Sequence, residues 1–167
     1  MRVGEAIGLD REDLDTDDGL LLIRHGKFGK QRLLPLHDTA RVALASYLDR
    51  PDRHQRPDCP ALLVSSAGTR LLYPNINRTF RTLTARAGVS ARSARCTPRI
   101  HDLRHTFAVE TVLDCYRTGA DLDARLPLLS TYLGHVNPAN TYWYLTGSPE
   151  LLALAGERLE VSLGGRS

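Results

Sequence analysis

Two runs rich in leucine and isoleucine, Leu20–Arg24 and Gln31–Leu36, are separated by only His25-Gly26-Lys27-Phe28-Gly29-Lys30. Apolar runs this short, broken by a glycine-bearing tip, predict a β-hairpin. Elsewhere the apolar residues recur at helical spacing. Residues 2–9 carry Val3, Ala6, Ile7 and Leu9 on one side, and His37–Leu48 carries Ala40, Ala43, Leu44, Tyr47 and Leu48. The expected fold is therefore mainly α with a small antiparallel sheet near the N-terminus.

The rest of the chain extends this pattern. Arg50–Pro60 holds three prolines and many charges and reads as a surface loop, followed by a short strand over Ala61–Ser65. Asn75–Ala87 predicts a helix with Ile76, Phe80, Leu83 and Ala87 on one stripe. Gly88–Pro98 is a polar loop. His101–Arg117 predicts the longest helix, with Leu103, Phe107, Val112 and Tyr116 among its apolar positions. Asp121–Leu133 predicts another, ended by Gly134. Asn137-Pro138 opens a short helix over Pro138–Leu145, and Ser148 can cap a last one over Pro149–Leu159.

Composition narrows the setting. At 167 residues and 42% hydrophobic the chain can bury one core. No apolar run approaches the roughly 20 residues of a membrane helix, and Met1–Asp10 lacks the pattern of a signal peptide. Cys59, Cys96 and Cys115 form no C-x-x-C pair and read as reduced thiols of a cytosolic protein. Net charge is only +3, but its distribution is uneven. From Cys59 to His101 there is no acidic residue, while Arg70, Arg78, Arg81, Arg86, Arg92, Arg95 and Arg99 fall within it. Such a field suits a polyanion; a solvated arginine face is the plainer alternative.

One ordered set of residues carries chemistry. Arg2 and Glu5 lie three apart in R-V-G-E, and Lys27 lies in the hairpin tip. His101 and Arg104 form H-D-L-R, His135 stands in L-G-H, and Tyr144 follows nine residues later. Phosphoryl transfer at a DNA diester needs a nucleophile, a proton donor for the leaving oxygen and cations around the phosphate. A tyrosine hydroxyl, with a pKa near 10, is only about 0.1% ionised at neutral pH. Making up that deficit is worth about 4 kcal/mol and calls for a base or adjacent positive charge. Arginines can fork onto the non-bridging oxygens and stay charged. Histidines exchange protons near neutrality.

Four strings in this order resemble the tyrosine recombinases, the phage-integrase family. R-V-G-E-A-I-G-L-D-R-E-D-L-D resembles the family's first arginine box, and G-K-F-G-K-Q-R-L-L-P-L its lysine hairpin. R-I-H-D-L-R-H-T-F-A resembles its His-x-x-Arg box, and L-G-H-V-N-P-A-N-T-Y-W-Y the segment with the nucleophile. The resemblance runs from Arg2 to about Leu152 and implies an integrase-like catalytic domain that cuts and rejoins DNA. It implies that Arg2 and Arg104 bind the scissile phosphate, that Lys27 is the general acid on the 5′ oxygen and that His101 shares proton transfer with the tyrosine. His135 would bond a phosphate oxygen and Glu5 would position the site. Tyr144 would attack and become joined to the 3′ phosphate, with no metal or other cofactor. Arg78, Arg81, Arg92, Arg95 and Arg99 are the expected DNA-binding arginines. Double-stranded DNA and other copies of the chain, met as a tetramer through the C-terminal helix, are the expected partners. The family normally has helices and a separate DNA-binding domain upstream of the first arginine box. Residues 1–167 therefore read as one catalytic domain truncated at its N-terminus.

Other readings start from the same residues. The chain could be an idle remnant that only binds DNA or a full-length partner. His101 and His105 have the i, i+4 spacing of a zinc pair, but a third ligand at a motif position is lacking and Arg104 would repel the ion. Tyr142 competes with Tyr144 for the nucleophile's role. Two residues apart on a helix point about 200° apart, so only one can face a phosphate, and the family spacing from His135 selects Tyr144.

Overall fold

Alternation within the hairpin decides which of its sides is buried. In the computed structural model, which describes residues 1–26, 29–91, 93, 96–135, 141, 153 and 156, strand β1 is Leu14–Asp15, β2 is Leu20–Ile23 and β3 is Arg32–Pro35. They form one antiparallel sheet in the order β1-β2-β3. Leu21 pairs with both Leu14 and Leu34, and Ile23 pairs with Arg32. Leu21, Ile23 and Leu34 are buried while Leu33 points outward, the period-two pattern of a sheet with one covered face. Strand β1 was not expected. It exists because Asp15 accepts hydrogen bonds from the backbone N–H groups of Asp17 and Asp18, at 3.0 and 2.9 Å, and so turns the chain back.

The chain divides into two compact units, Met1–Ile100 and His101–Ser167. The first unit holds this sheet, helix α1 (Val3–Ile7), a 3₁₀ turn (Arg11–Asp13), α2 (Asp38–Leu48) and α3 (Tyr73–Arg86). The His37 ring accepts a hydrogen bond from the Thr39 N–H at 3.3 Å and caps α2. Neither α2 nor α3 contains a fully buried residue; Ala43, Leu83 and Ala87, expected on apolar stripes, are exposed. The strand expected over Ala61–Ser65 does not form. Ala61 makes a single bridge to Asp10, and Val64 another to Arg70. The turn closed by Ser65 N–H to Thr69 O at 2.8 Å reverses the chain before a ladder can grow.

The second unit is built on α4 (Ile100–Thr118) and α5 (Leu122–Leu133). Ala108, Val112, Leu113, Leu126, Leu129 and Leu133 form its core. The buried stripe of α4 runs through Arg104, Ala108, Val112 and Cys115. Leu103 and Phe107, expected on the apolar face, are 61% and 46% exposed. The helix is thus rotated so that a guanidinium is buried in their place. Asp121 caps the start of α5 by accepting from the Ala124 N–H at 3.2 Å. Gly134 ends it at φ 71°, in the left-handed region that favours glycine. Gly134 N–H to Thr131 O and His135 N–H to Ser130 O, at 2.9 and 3.0 Å, are the two bonds of a Schellman turn. Cys59, Cys96 and Cys115 are free thiols. Among the described residues no helix is long and apolar enough to cross a membrane. Apart from Thr141, Ala153 and Gly156, the residues of the expected helices over Pro138–Leu145 and Pro149–Leu159 lie outside the described residues.

Candidate active site

The first cluster forms where α1 meets the sheet. Arg2 stands at the N-cap of α1, and its backbone N–H donates to Glu5 Oε2 at 2.7 Å, one half of a capping box. The Arg2 guanidinium donates through Nη1 to Glu5 Oε1 at 3.2 Å. From β3, Arg32 forks onto the same carboxylate: Nη1 to Oε1 at 3.2 Å and Nη2 to Oε2 at 2.7 Å. Glu5 is buried. Burial raises its carboxyl pKa, but hydrogen bonds from Arg32 and from the Arg2 backbone, with both positive charges, bring it down to about 2. Glu5 is therefore a carboxylate at any physiological pH. Arg32 was missed by the sequence reading. Its only signal is a basic residue on the buried-face register opposite Ile23, with no acidic neighbour within its own strand.

The second cluster lies at the far end of α5. Arg104 is buried, and its Nη2 donates to the carbonyl oxygen of Leu133 at 2.6 Å. That carbonyl is among those a helix leaves without an intrahelical partner, at the negative end of its dipole. Two residues on is His135, its backbone fixed by the Schellman turn. Its Nδ1 lies 2.9 Å from Thr141 Oγ1. Thr141 is fully buried, so its hydroxyl holds the orientation of the ring. His101 stands one turn before Arg104 on α4 and is exposed, while His105 is half-buried. Thr141 was also missed; a threonine among aromatics carries no signal by itself.

The arginine-rich stretch separates into two kinds. Arg78 and Arg81 are exposed on α3, where with Asn77, Thr82 and Arg86 they line one open groove. Arg99 is also exposed. Arg70 is different, because its Nη1 donates to the Ile7 and Leu9 carbonyls at 2.8 and 3.1 Å while Nη2 pairs with Asp10. It ties the end of α1 to the following loop, which corrects its grouping with the polyanion-facing arginines. Lys27, Arg92, Arg95, Tyr142 and Tyr144 lie outside the described residues. Among the described residues no three potential metal ligands gather.

The phage integrase family profile matches residues 1–150. The chain belongs to the phage integrase family. A protein of Sinorhizobium fredii named as an integrase/recombinase, y4rB, is 44% identical over 162 residues, covering 96% of this chain and 52% of that one. The tyrosine recombinase XerD of Mycobacterium tuberculosis is 34% identical over 146 residues, covering 86% of this chain and 42% of its own length. This integrase-family chain thus spans about half the length of the curated relatives it matches. Among solved structures, XerA recombinase superposes with a TM-score of 0.72 at 29% identity, covering 99% of this chain and 53% of that one. The Tn1549 transposon integrase in complex with transposon right end DNA has the same fold, with a TM-score of 0.66 at 19% identity over 95% of this chain and 54% of that one.

Proposed function

We propose that this chain carries the cleavage-and-rejoining centre of a site-specific DNA recombinase or integrase of a mobile element, acting in the bacterial cytoplasm. The observation that carries the reading is the corner at the end of α5. There a buried arginine of the expected phosphate-binding set donates to the Leu133 carbonyl, two residues before a histidine of the same set. A buried guanidinium held by a backbone carbonyl is pre-organised for an anion, and that ordering need not be repeated when the charge of the transition state develops.

In the proposed reaction Arg2 and Arg104 grip the non-bridging oxygens of the scissile phosphate. His135 bonds one of them, and Glu5 orients Arg2. The Tyr144 hydroxyl attacks phosphorus, His101 taking part in moving its proton. A bond forms between phosphorus and the tyrosyl oxygen, and the bond to the 5′ oxygen breaks. Lys27 protonates that oxygen as it leaves. A 5′ hydroxyl of a second strand then reverses the step and releases the tyrosine. One diester is exchanged for another, so no nucleotide or metal cofactor is required. Arg78, Arg81, Arg92, Arg95 and Arg99 contact duplex phosphates outside the reacting centre.

The working form on DNA is an oligomer, a tetramer of the full-length protein, in which the segment Pro149–Leu159 docks on a neighbouring copy. Its Leu151, Leu152, Leu154 and Leu159 are more apolar than a solvated tail requires. Deleting that segment is expected to abolish assembly on DNA in a mobility-shift assay while single-copy binding remains. Surviving assembly would remove the segment from the interface. The activity itself is tested with a nicked suicide substrate. A chimera that supplies the unmatched part of the Sinorhizobium fredii relative should trap a detergent-resistant protein–DNA adduct. Binding without any adduct would mean a DNA-binding remnant.

A further inference from the structure

We propose that Arg32 is the principal counter-ion of Glu5, a positioning residue that fixes the carboxylate against which Arg2 is oriented. The proposal rests on the recombinase reading of Arg2 given above. Glu5 receives two guanidinium groups on one carboxylate, so the three side chains together carry a net positive charge. The two pairings are unequal. Arg32 engages both oxygens as a fork, at 2.7 and 3.2 Å, whereas the Arg2 guanidinium meets Glu5 Oε1 at 3.2 Å. A parallel fork is the stronger geometry for an arginine and a carboxylate. The Arg32 side chain is 13% exposed and that of Arg2 is 30% exposed. The guanidinium that forks onto Glu5 is thus the more deeply placed one.

The hairpin is shaped to allow this fork. Gly26 donates its N–H to Lys30 O at 3.1 Å and closes the tip whose sequence includes Lys27. A Cβ at Gly26 would stand 2.5 Å from Lys30 O and 3.1 Å from Arg32 Nη1. The first is closer than atoms of a side chain and a backbone can approach, so only glycine lets the tip close beside the Arg32 guanidinium. Because Arg32 pairs with Ile23 at the last rung before the tip, its fork onto Glu5 also pins the base of the lysine hairpin to the helix that presents Arg2. One residue thereby serves two members of the expected site.

Two readouts test this. In the chain itself, the Glu5 carboxyl is titrated by NMR in wild type, Arg32→Gln and Arg2→Gln. Asp13, Arg24 and His25 line the small cavity beside Glu5 and are unchanged in all three. Arg32→Gln should raise the Glu5 pKa by more than about one pH unit, and Arg2→Gln by less. A larger effect from Arg2→Gln would overturn the assignment. In the chimera, single-turnover adduct formation should slow about ten- to hundredfold in Arg32→Gln, the size expected for losing a charged hydrogen bond. Glu5→Gln added to Arg32→Gln should then recover about tenfold, because no unpartnered carboxylate remains to draw off the charge of Arg2. A purely structural role predicts a double variant no faster than the single one, and that result would sink the proposal. If Arg32→Gln does not fold, Arg32→Lys keeps the charge and loses the fork. It should still raise the Glu5 pKa, and an unmoved value would overturn the assignment. Absence of any adduct in the wild-type chimera would count against the recombinase reading instead, with the titration still deciding which arginine is the counter-ion.

Discussion

Glu5→Gln tests the electrostatics of the first cluster, and its effect on stability should depend on pH. In the folded chain the carboxyl sits at about 2 against an ordinary value of 4.5. Folding therefore favours the ionised form, and the associated stability is fully present above about pH 4.5. It is lost progressively as pH falls toward the folded value. Each pH unit within that window is worth about 1.4 kcal/mol, so the carboxylate contributes about 3 kcal/mol near neutrality, of which about 2 kcal/mol is gone by about pH 3. Glutamine is isosteric and uncharged, and it turns an amide group toward the fork of Arg32. Urea unfolding of wild type and Glu5→Gln at about pH 6, 4 and 3 isolates the effect, because every other carboxyl titrates in both proteins and cancels in the difference. Wild type should be the more stable by 2–3 kcal/mol at about pH 6, and most of that margin should vanish by about pH 3. A margin independent of pH would mean that Glu5 acts by packing, and the charge cluster around Arg2 would lose its basis.

Other predictions follow from the second cluster and from α3. Arg104→Met leaves the buried Leu133 carbonyl without its guanidinium donor. It should cost about 1–2 kcal/mol in urea unfolding and eliminate adduct formation; an active variant would remove Arg104 from the phosphate site. Gly134→Ala forces a Cβ into the left-handed region and should destabilise by about 1–2 kcal/mol, with a slower cleavage step as the His135 backbone shifts; unchanged stability would contradict the Schellman turn. Arg78→Ala and Arg81→Ala should each flatten the slope of log affinity against log salt by about 0.9 in DNA titrations. Arg70→Ala should leave that slope alone and cost about 2 kcal/mol of stability, since its guanidinium is spent on two carbonyls and Asp10. Equal slopes for all three variants would erase the division drawn within the arginine stretch.

How far the fold was legible depended on how local its causes are. The β2–β3 hairpin and the end of α5 were readable because alternation, a glycine tip and a glycine stop act within a few residues. Strand β1 is also local, but its turn is built by the Asp15 side chain, a weaker signal than apolar alternation. The face of α4 was misread because Leu103 and Phe107 are apolar and Arg104 is not. What decides the rotation is the Leu133 carbonyl, 29 residues away, which makes the guanidinium worth burying. The motif residues were visible in the sequence as a resemblance, since arginine, histidine and glutamate stand in a recognisable order. Arg32 and Arg70 were not, because each is defined by a partner 27 or about 60 residues distant. A basic residue with a remote partner looks in sequence like any solvated one.

The most direct measurement of the central claim is the position of the covalent link. The chimera is trapped on a nicked suicide substrate, digested, and the peptide bearing the 3′-phosphotyrosine is sequenced by mass spectrometry, alongside Tyr144→Phe and Tyr142→Phe. The expected link is at Tyr144, abolished by Tyr144→Phe with the fold retained, and largely unaffected by Tyr142→Phe. A link at Tyr142 would move the nucleophile and require the segment after His135 to be re-registered, and an adduct that survives both changes would contradict the tyrosine mechanism.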